Sequence, residues 1–262
     1  MLKRRLIPKL QLRSMRLGNA ERMVLITTVR FDQTVQAGDP ISQAKVYQAQ
    51  TADELIFLDL DATFHARPTM AALVEKAAEE IFMPLTVGGG VRSIENFRTL
   101  LRSGADKVSI NTAAVENSGL IGGASDAFGA QCVVVSIDYR RNADGRYTVF
   151  IRGGTQDTGL DPVAWAVACE QRGAGELLLT SIDRDGTGAG LDVELTRSIV
   201  NAVSIPVITS GGCGTAAHFV EGFSEGLADA VAAGTFFCFK DQTPLQTRAR
   251  ISNAGIPIRM HM

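Results

Sequence analysis

The chain has 262 residues, a formal net charge of −2 and a pI near 6.0, with 45% hydrophobic and 21% charged residues. This balance argues against a nucleic-acid binder, which needs a basic surface to meet phosphates. No apolar run reaches the roughly 18 residues that cross a bilayer, so we expect no membrane contact. Lys9 and Arg13 interrupt any apolar region behind the charged N-terminus, so we interpret that segment as mature protein rather than a secretion signal.

The cysteines and histidines show no metal-ligand spacing. The four cysteines lie far apart without a CxxC pair, which argues against a disulfide framework or a zinc site and favours a reducing cytoplasm. His65, His218 and His261 are scattered along the chain. We therefore expect neither a metal ion nor a cofactor. The cysteines are Cys132, Cys169, Cys213 and Cys238.

Eight short apolar runs alternate with helical stretches along the chain. Their continuous hydrophobicity indicates strands covered on both faces, as in a parallel sheet. Helices are predicted to begin at Asp39, Ser93 and Asp161. The pattern predicts an α/β fold, a single-domain (β/α)8 TIM barrel over residues 1–262. A doubly wound open sheet is the alternative, weakened because no GxGxxG motif follows the first strand. The predicted strands are 5–11, 54–60, 84–87, 107–110, 132–138, 176–182, 206–209 and 229–233.

An internal repeat supports the barrel. ELIFLDLDAT at 54–63 resembles ELLLTSIDRDGT at 176–187, and PLTVGGG at 84–90 resembles PVITSGG at 206–212. Both pairs are 122 residues apart. A constant offset over two separate motifs predicts two half-barrels, at about 1–125 and 126–262.

Two insertions interrupt the barrel pattern. The first βα loop, between Gln11 and Gly38, is long and rich in arginine. A second insertion lies between Asp138 and Asp161, and its NADG sequence at 142–145 predicts a hairpin turn. Long loops at the C-terminal face of a barrel usually carry function.

Glycines follow the third, seventh and eighth strands, and those after the third and seventh strands are related by the repeat. Backbone N–H groups at such turns can approach an anion closely, which predicts phosphate binding. The alternative is a set of tight turns without a ligand. The repeat predicts two phosphate sites facing each other across the barrel mouth, suited to a long substrate with a phosphate at each end. The residues concerned are Gly89, Gly90, Gly211, Gly212, Ala233 and Gly234.

Polar residues end several strands. Asp138 ends the fifth strand, where partial burial can raise its pKa toward general acid or base use; a loop cap is the alternative. Asn111 and Thr112 end the fourth strand and offer neutral hydrogen bonds to a phosphate or a sugar hydroxyl. We interpret the other strand-end aspartates as supporting polar groups. These are Asp59, Asp61, Asp183 and Asp185.

The repeat also places Gln11 at the position equivalent to Asp138. An amide can position a substrate but exchanges no proton at neutral pH. The chain therefore has one carboxylate where two would form an acid–base pair.

Charged residues begin strands one, two, four and six. They are predicted to form one ring of two cations and two anions at the N-terminal barrel mouth. From these residues alone, the favoured interpretation is a stabilising ion-pair network. The ring consists of Arg5, Glu54, Lys107 and Glu176.

Four motifs together resemble the HisF family, the cyclase subunits of imidazole glycerol phosphate synthase. They are TVGGG at 86–90, ADKVSINTAA at 105–114, LLTSIDRDGT at 178–187 and SGG at 210–212. The resemblance implies a (β/α)8 barrel that pairs with a HisH-type class I glutaminase. Ammonia from the glutaminase enters the barrel bottom and meets an aminoimidazole precursor with two phosphates at the other end.

The resemblance also implies roles for individual residues. Asp138 matches one of two catalytic aspartates, and the charged ring matches the gate through which ammonia enters. One phosphate site is implied at Gly89, Gly90, Asn111 and Thr112. The other side of the ligand cleft is implied at Thr180, Asp185, Gly186, Gly211, Gly212, Ala233 and Gly234.

Two departures from the family pattern matter. The other catalytic aspartate falls at Gln11, and the lysine of the family's first loop aligns with Thr27. This pattern is similar to HisF-like paralogues associated with sugar amidation in surface-polysaccharide biosynthesis. That resemblance implies service with a HisH-like glutaminase and a separate amidotransferase.

Three hypotheses follow from these departures. The chain is an ammonia-channelling subunit for sugar amidation, a histidine-pathway cyclase with a substitute aspartate such as Asp61, or a non-catalytic phosphometabolite-binding partner of the glutaminase. Gln11 disfavours the second hypothesis, and the intact gate disfavours the third.

Overall fold

The fold is a closed barrel of parallel strands, seen in a computed structural model that describes residues 3–18, 20–62, 70–239 and 242–259. The strands are β1 (Arg5–Leu17), β2 (Ala20–Val29), β3 (Gln33–Gly38), β4 (Leu55–Asp59), β5 (Leu85–Gly88), β6 (Lys107–Ile110), β7 (Val133–Arg141), β8 (Tyr147–Ile151), β9 (Gln156–Asp157), β10 (Glu176–Ser181), β11 (Val207–Ser210) and β12 (Ala230–Ala233). The helices are α1 (Pro40–Ala49), α2 (Ala71–Glu80), α3 (Ile94–Arg102), α4 (Thr112–Glu116), α5 (Gly119–Phe128), α6 (Pro162–Gln171), α7 (Val193–Ala202), α8 (Ala216–Ser224), α9 (Thr235–Phe239) and α10 (Pro244–Asn253).

Eight of these strands form the barrel in the order β1, β4, β5, β6, β7, β10, β11 and β12, and β12 pairs with β1. Every pairing around this circuit is parallel. The (β/α)8 prediction is confirmed, and the open-sheet alternative is wrong because β7 pairs with β10 and closes the circuit. A large apolar core lies between the strands and the helices, and a smaller cluster fills the barrel interior.

Three helices begin where the sequence predicted. The side chains of Asp39, Ser93 and Asp161 accept hydrogen bonds from backbone N–H groups three residues ahead, at 2.8, 3.2 and 2.8 Å. A side-chain oxygen at this position satisfies one of the N–H groups that a helix start leaves unpaired. The caps fix each helix start just after its loop.

The strand pairing preserves the repeat. Leu55 pairs with Leu85, and 122 residues later Leu177 pairs with Val207. Likewise Gln11 pairs with Leu58, whereas Asp138 pairs with Thr180. Gln11 and Asp138 therefore occupy equivalent places in the two halves. The single domain and its half-barrel boundaries at about 1–125 and 126–262 stay predictions.

The first insertion differs from the expected long loop. β1 continues past its last barrel pairing at Leu12, turns at Gly18 and pairs antiparallel with β2, which in turn pairs with β3. The positive φ of +62° at Gly18 suits glycine. The antiparallel ladder gives partners to backbone groups that a loop would leave unpaired.

The second insertion matches its prediction. The amide of Gly145 donates to the carbonyl of Asn142 at 2.9 Å, which closes the hairpin between β7 and β8. None of the helices with described residues combines the length and apolar character that a membrane span needs.

A buried ion pair ties the last helix to the barrel. Arg248 of α10 is 1% exposed and lies 2.9 Å from the carboxylate of Asp53, just before β4. Arg248 also donates to the carbonyls of Thr51 and Arg259, and Asp53 accepts from the amide of Leu6 at 2.8 Å. Because both charges are buried, each depends on the other for compensation.

We predict that Arg248→Met lowers the free energy of unfolding by about 3–5 kcal/mol, because it leaves the Asp53 carboxylate buried without its cation. Denaturant unfolding monitored by circular dichroism measures the change. Arg146→Met is the matched control, since Arg146 pairs with Asp144 on the surface. Equal unfolding midpoints for the two variants would contradict the prediction.

Candidate functional site

The four predicted ring residues meet at the N-terminal barrel mouth. Arg5 lies 2.8 Å from Glu54 and 2.6 Å from Glu176. Lys107 lies 3.1 Å from Glu54 and 2.8 Å from Glu176. Each cation bridges both carboxylates, so the four side chains form a closed ring of alternating charge.

The charges of the ring compensate one another. Although burial raises the pKa of Glu54, the charges of Arg5 and Lys107 outweigh it and hold that pKa below its usual value. Burial likewise opposes the charged form of Arg5, but Glu176 and Glu54 raise its pKa above the ordinary value. Arg5 and Glu54 are therefore both charged at neutral pH.

A layer of apolar side chains fills the barrel interior near the ring. Alternate residues of a strand point to opposite faces, so the ring residue Arg5 is followed on the inner face of β1 by Ile7, Lys9 and Gln11. Ile7 belongs to the interior apolar cluster, whereas Lys9 and Gln11 line a cleft at the opposite end. The other buried members of the cluster are Ile56, Val134, Leu178, Ile208, Ala230 and Ala232.

The cleft lies at the C-terminal barrel mouth and has a cavity volume of about 340 Å³. This is within the usual size range for a site that holds a small molecule. Seven of the predicted site residues line it together. They are Gln11, Gly89, Gly90, Asn111, Thr112, Asp138 and Thr180.

Asp138 is half-buried and held by neutral donors. It accepts hydrogen bonds from the amide of Asn111 and the hydroxyl of Ser136, both at 3.2 Å. Burial raises its pKa to about 6, and the Lys9 charge and the Ser136 hydrogen bond offset part of that rise. A carboxyl with this pKa can accept and return a proton near neutral pH. Asn111 therefore both lines the cleft and holds the Asp138 carboxyl through a hydrogen bond.

The remaining predicted residues lie around a second, much smaller pocket of about 10 Å³, which holds at most one water. Lys9 lines both the cleft and this small pocket. The predicted residues at the small pocket are Asp185, Gly186, Gly211, Gly212, Ala233 and Gly234.

Strand β2 separates the cleft from the small pocket. The amide of Gln11 donates to the hydroxyl of Thr28 at 2.9 Å, and that hydroxyl donates to the carboxylate of Asp185. The amide of Arg30 donates to the carbonyl of Asp185 at 2.9 Å. Burial raises the pKa of Asp185, against the opposing effect of Lys9. The first insertion thus covers one half of the barrel mouth.

Packing explains several of the glycines without any ligand. A Cβ on Gly89 would lie 2.3 Å from the carbonyl oxygen of Asp59, and one on Gly212 would lie 2.1 Å from that of Gly190. Both have positive φ angles, of +109° and +113°. Larger residues at either position would disturb the fold, so these glycines serve the turns whether or not they bind phosphate.

The other strand-end aspartates hold loops in place. Asp59 accepts from the amides of Asp61 and Ala62, and Asp183 accepts from the amide of Arg141 at 2.8 Å. Asp61 forms an ion pair with Arg13 at 2.8 Å, on the cleft wall.

One of the three histidines lies within the described residues. His218 accepts from the amide of Gly214 at 3.0 Å, whereas His65 and His261 lie outside the described residues. Within the described ranges, no three His, Cys, Asp or Glu side chains lie together as a metal site.

Several basic residues that line the cleft were not identified from the sequence, among them Lys9, Arg92 and Arg152. Arg152, directly after β8, lines the wall beside Thr112 and pairs with Glu116 at 2.6 Å. Lys9 is 3% exposed, inside the barrel. The signal for Lys9 was available, because a charged residue at an inward position of a buried strand is unusual.

Comparison with known proteins identifies the family to which this barrel belongs. Residues 7–243 match the model of the family described as "Histidine biosynthesis protein". A protein of Prochlorococcus marinus (strain MIT 9313), named "Putative imidazole glycerol phosphate synthase subunit hisF2", is 49% identical over 260 residues, which cover 99% of each chain. The chain belongs to the HisF family. The charged ring and the cleft thus lie at opposite ends of a barrel of that family.

We predict that the Asp138 carboxyl titrates with a pKa of about 6. Its carboxylate form is the base, so any step that uses this base loses rate as the pH falls below about 6. A carbon-13 NMR titration of labelled aspartate measures the pKa, and Asp138→Asn identifies the signal. A titration near pH 4, the value of an unperturbed aspartate, would contradict the prediction.

Proposed function

We propose that this HisF-family barrel receives ammonia from a HisH-type glutaminase and adds it to a phosphorylated substrate, in the amidation of a sugar. The observation that carries this is the placement of a complete charged ring at one barrel mouth and a carboxyl poised for proton transfer at the other. Glu54 and Glu176, each bound to two cations, complete the entrance, and Asp138 lies in the cleft.

The barrel interior between the ring and the cleft favours passage of a neutral molecule. Apolar side chains such as Ile7, Ile56 and Leu178 lie along the barrel interior between ring and cleft. An ammonium ion would lose its hydration in such a layer at high cost, whereas neutral ammonia would not. Release of ammonia by a glutaminase docked on the ring would deliver the neutral form.

Phosphate recognition is proposed at the cleft rather than at the small pocket. Basic side chains of Arg13 and Arg152 stand in its wall, together with the backbone of Gly89 and Gly90. Guanidinium groups bind phosphate oxygens through charge-assisted hydrogen bonds. The cleft accepts a ligand with at least one phosphate.

The histidine-pathway cyclase is the second candidate. The name of the Prochlorococcus relative supports it, and so does Asp185, a buried carboxyl linked to Gln11 through Thr28. Asp61, an earlier candidate for the substitute carboxylate, is already neutralised by Arg13. Gln11 favours sugar amidation, since losing one proton-transfer group commonly costs factors of 10² to 10⁴ in rate.

We predict a 1:1 complex with the HisH-like glutaminase of the same organism, and a rise in glutaminase activity on mixing. Size-exclusion chromatography and glutamate release measure these. Lys107→Met opens the ring and leaves Glu54 and Glu176 with one cation, so we expect impaired use of glutamine-derived ammonia. Lys45→Met, which removes a surface ion pair with Glu80, is the matched control. Failure to co-purify, together with unchanged glutaminase activity, would overturn the proposed partner.

We predict little or no conversion of the bis-phosphorylated aminoimidazole precursor with ammonium chloride, because Gln11 replaces a proton-transfer group. Gln11→Asp restores at most a trace, since the family's loop lysine is replaced by Thr27. Absorbance of the precursor measures turnover, and Gln36→Asp on the exposed face of β3 controls for added charge. Ordinary cyclase turnover by the unmodified protein would support the second candidate and reject the first.

A further inference from the structure

Lys9 is a buried amine at the inner end of the cleft. It lies on the inner face of β1 two residues before Gln11, and it is 3% exposed. Its ammonium donates a hydrogen bond to the hydroxyl of Ser210 on β11, at 3.0 Å. The side chain reaches this partner past β12, whose Ala230 and Ala232 carry only methyl groups. Lysine is rarely buried without a specific partner, so its position needs a chemical explanation.

The hydroxyl that accepts from Lys9 continues a chain of hydrogen bonds to Asp138. Ser210 and Thr180 lie 2.9 Å apart, oxygen to oxygen. Thr180 is the register partner of Asp138 on β7, and its hydroxyl lowers the pKa of that carboxyl. Since an ammonium group only donates, the proton of Ser210 is available to Thr180, and the proton of Thr180 is available toward Asp138.

This chain joins a proton donor to a proton acceptor inside the barrel. The positive charge of Lys9 acts on Asp138 at the cleft and on Asp185 at the small pocket. In the half-barrel repeat, Lys9 occupies the position equivalent to Ser136, and Gln11 occupies the position equivalent to Asp138. In a symmetric acid–base pair, the second carboxyl would stand at position 11. Here the ionisable group of β1 is instead the cation Lys9, two residues earlier on the same strand.

We propose that Lys9 is the second proton-transfer group of the cleft and works with Asp138 through the Ser210–Thr180 hydroxyl relay to add ammonia to the carbonyl carbon of a phosphorylated sugar. The inference rests on the proposed function, because it assumes that ammonia is the nucleophile. It goes further by naming the residue that takes the place of the missing carboxyl.

The addition balances with these groups alone. Ammonia forms a C–N bond as the C=O π electrons move to oxygen, and the Lys9 ammonium protonates that oxygen. Asp138 takes a proton from the nitrogen, which gives a neutral carbinolamine. The proton on Asp138 then passes through Thr180 and Ser210 to the neutral Lys9 amine. Loss of water from the carbinolamine gives the imine, so the net reaction converts a carbonyl and ammonia into an imine and water.

The test uses free ammonium chloride, ribulose 5-phosphate as the carbonyl probe and sodium cyanoborohydride to trap the imine as a stable amine. Mass spectrometry measures the rate of amine formation by the full-length protein. We expect the unmodified protein to exceed the uncatalysed rate. We expect Lys9→Met to lose about 10²-fold of the catalysed rate, with little change in the sugar phosphate concentration that gives half-maximal rate.

Two further variants separate proton transfer from charge and from packing. Lys9→Arg keeps the positive charge, but a guanidinium does not give up its proton, so we expect it to be as slow as Lys9→Met. Thr180→Val breaks the relay and slows the reaction about 10-fold, because a water can partly replace the hydroxyl. Thr209→Val is the matched control: its hydroxyl bonds Thr196 at 2.9 Å on the outer side of β11, and the rate should not change.

Three results would overturn the inference. The first is that the unmodified protein does not accelerate amine formation. The second is that Lys9→Arg forms the amine as fast as the unmodified protein, which would mean that charge alone suffices. The third is that the trapped phosphosugar is found on Lys9 itself, which would make the amine a nucleophile. Unfolding midpoints of all variants confirm that each is folded. Because ammonium chloride bypasses the glutaminase, failure of complex formation tests the proposed function separately from these results.

Discussion

Parallel pairing between β7 and β10 closes the barrel, and the placement of every functional group depends on that closure. In a closed parallel barrel, each strand sends alternate side chains into a shared interior. The interior is therefore organised in layers. The charged ring of Arg5, Glu54, Lys107 and Glu176 lies at one mouth, apolar side chains follow, and Asp138 lies at the other mouth.

Charge is compensated separately at each end of the barrel. The ring contains two cations and two anions in mutual contact, so it needs no further counter-charge. In the cleft, Lys9 stands against Asp138 and Asp185. Buried charges are costly unless they are paired or hydrogen-bonded, and the hydroxyl of Ser210 accepts a hydrogen bond from Lys9.

The two half-barrels share a backbone repeat but differ in what their mouths can hold. The first insertion forms the antiparallel strands β2 and β3, and Thr28 of β2 links Gln11 to Asp185. The glycine turns of the second half consequently surround a pocket of about 10 Å³, beside a cleft of about 340 Å³. The asymmetry follows from the insertion, since the repeat itself is symmetric.

The sequence by itself determined the barrel, the repeat and the membership of the ring. Continuous apolar strands, capped helix starts and a constant offset are local patterns, and each reflects backbone hydrogen bonding or burial that neighbouring residues satisfy. The same patterns placed Asp138, Asn111 and Thr112 at strand ends, where parallel strands bring them together. The repeat also identified Gln11 as the position equivalent to Asp138.

Only the tertiary structure decided how these residues are connected. Residues 12–37 read as a loop, because antiparallel pairing with β1 depends on contacts between distant residues rather than on local pattern. The hydrogen bonds from Lys9 to Ser210 and from Ser210 to Thr180 cross between strands far apart in the chain. Their formation requires barrel closure and the small residues of β12, so no local motif could indicate them. The sequence specifies which groups reach the mouth, and the closed register specifies which of them exchange hydrogen bonds.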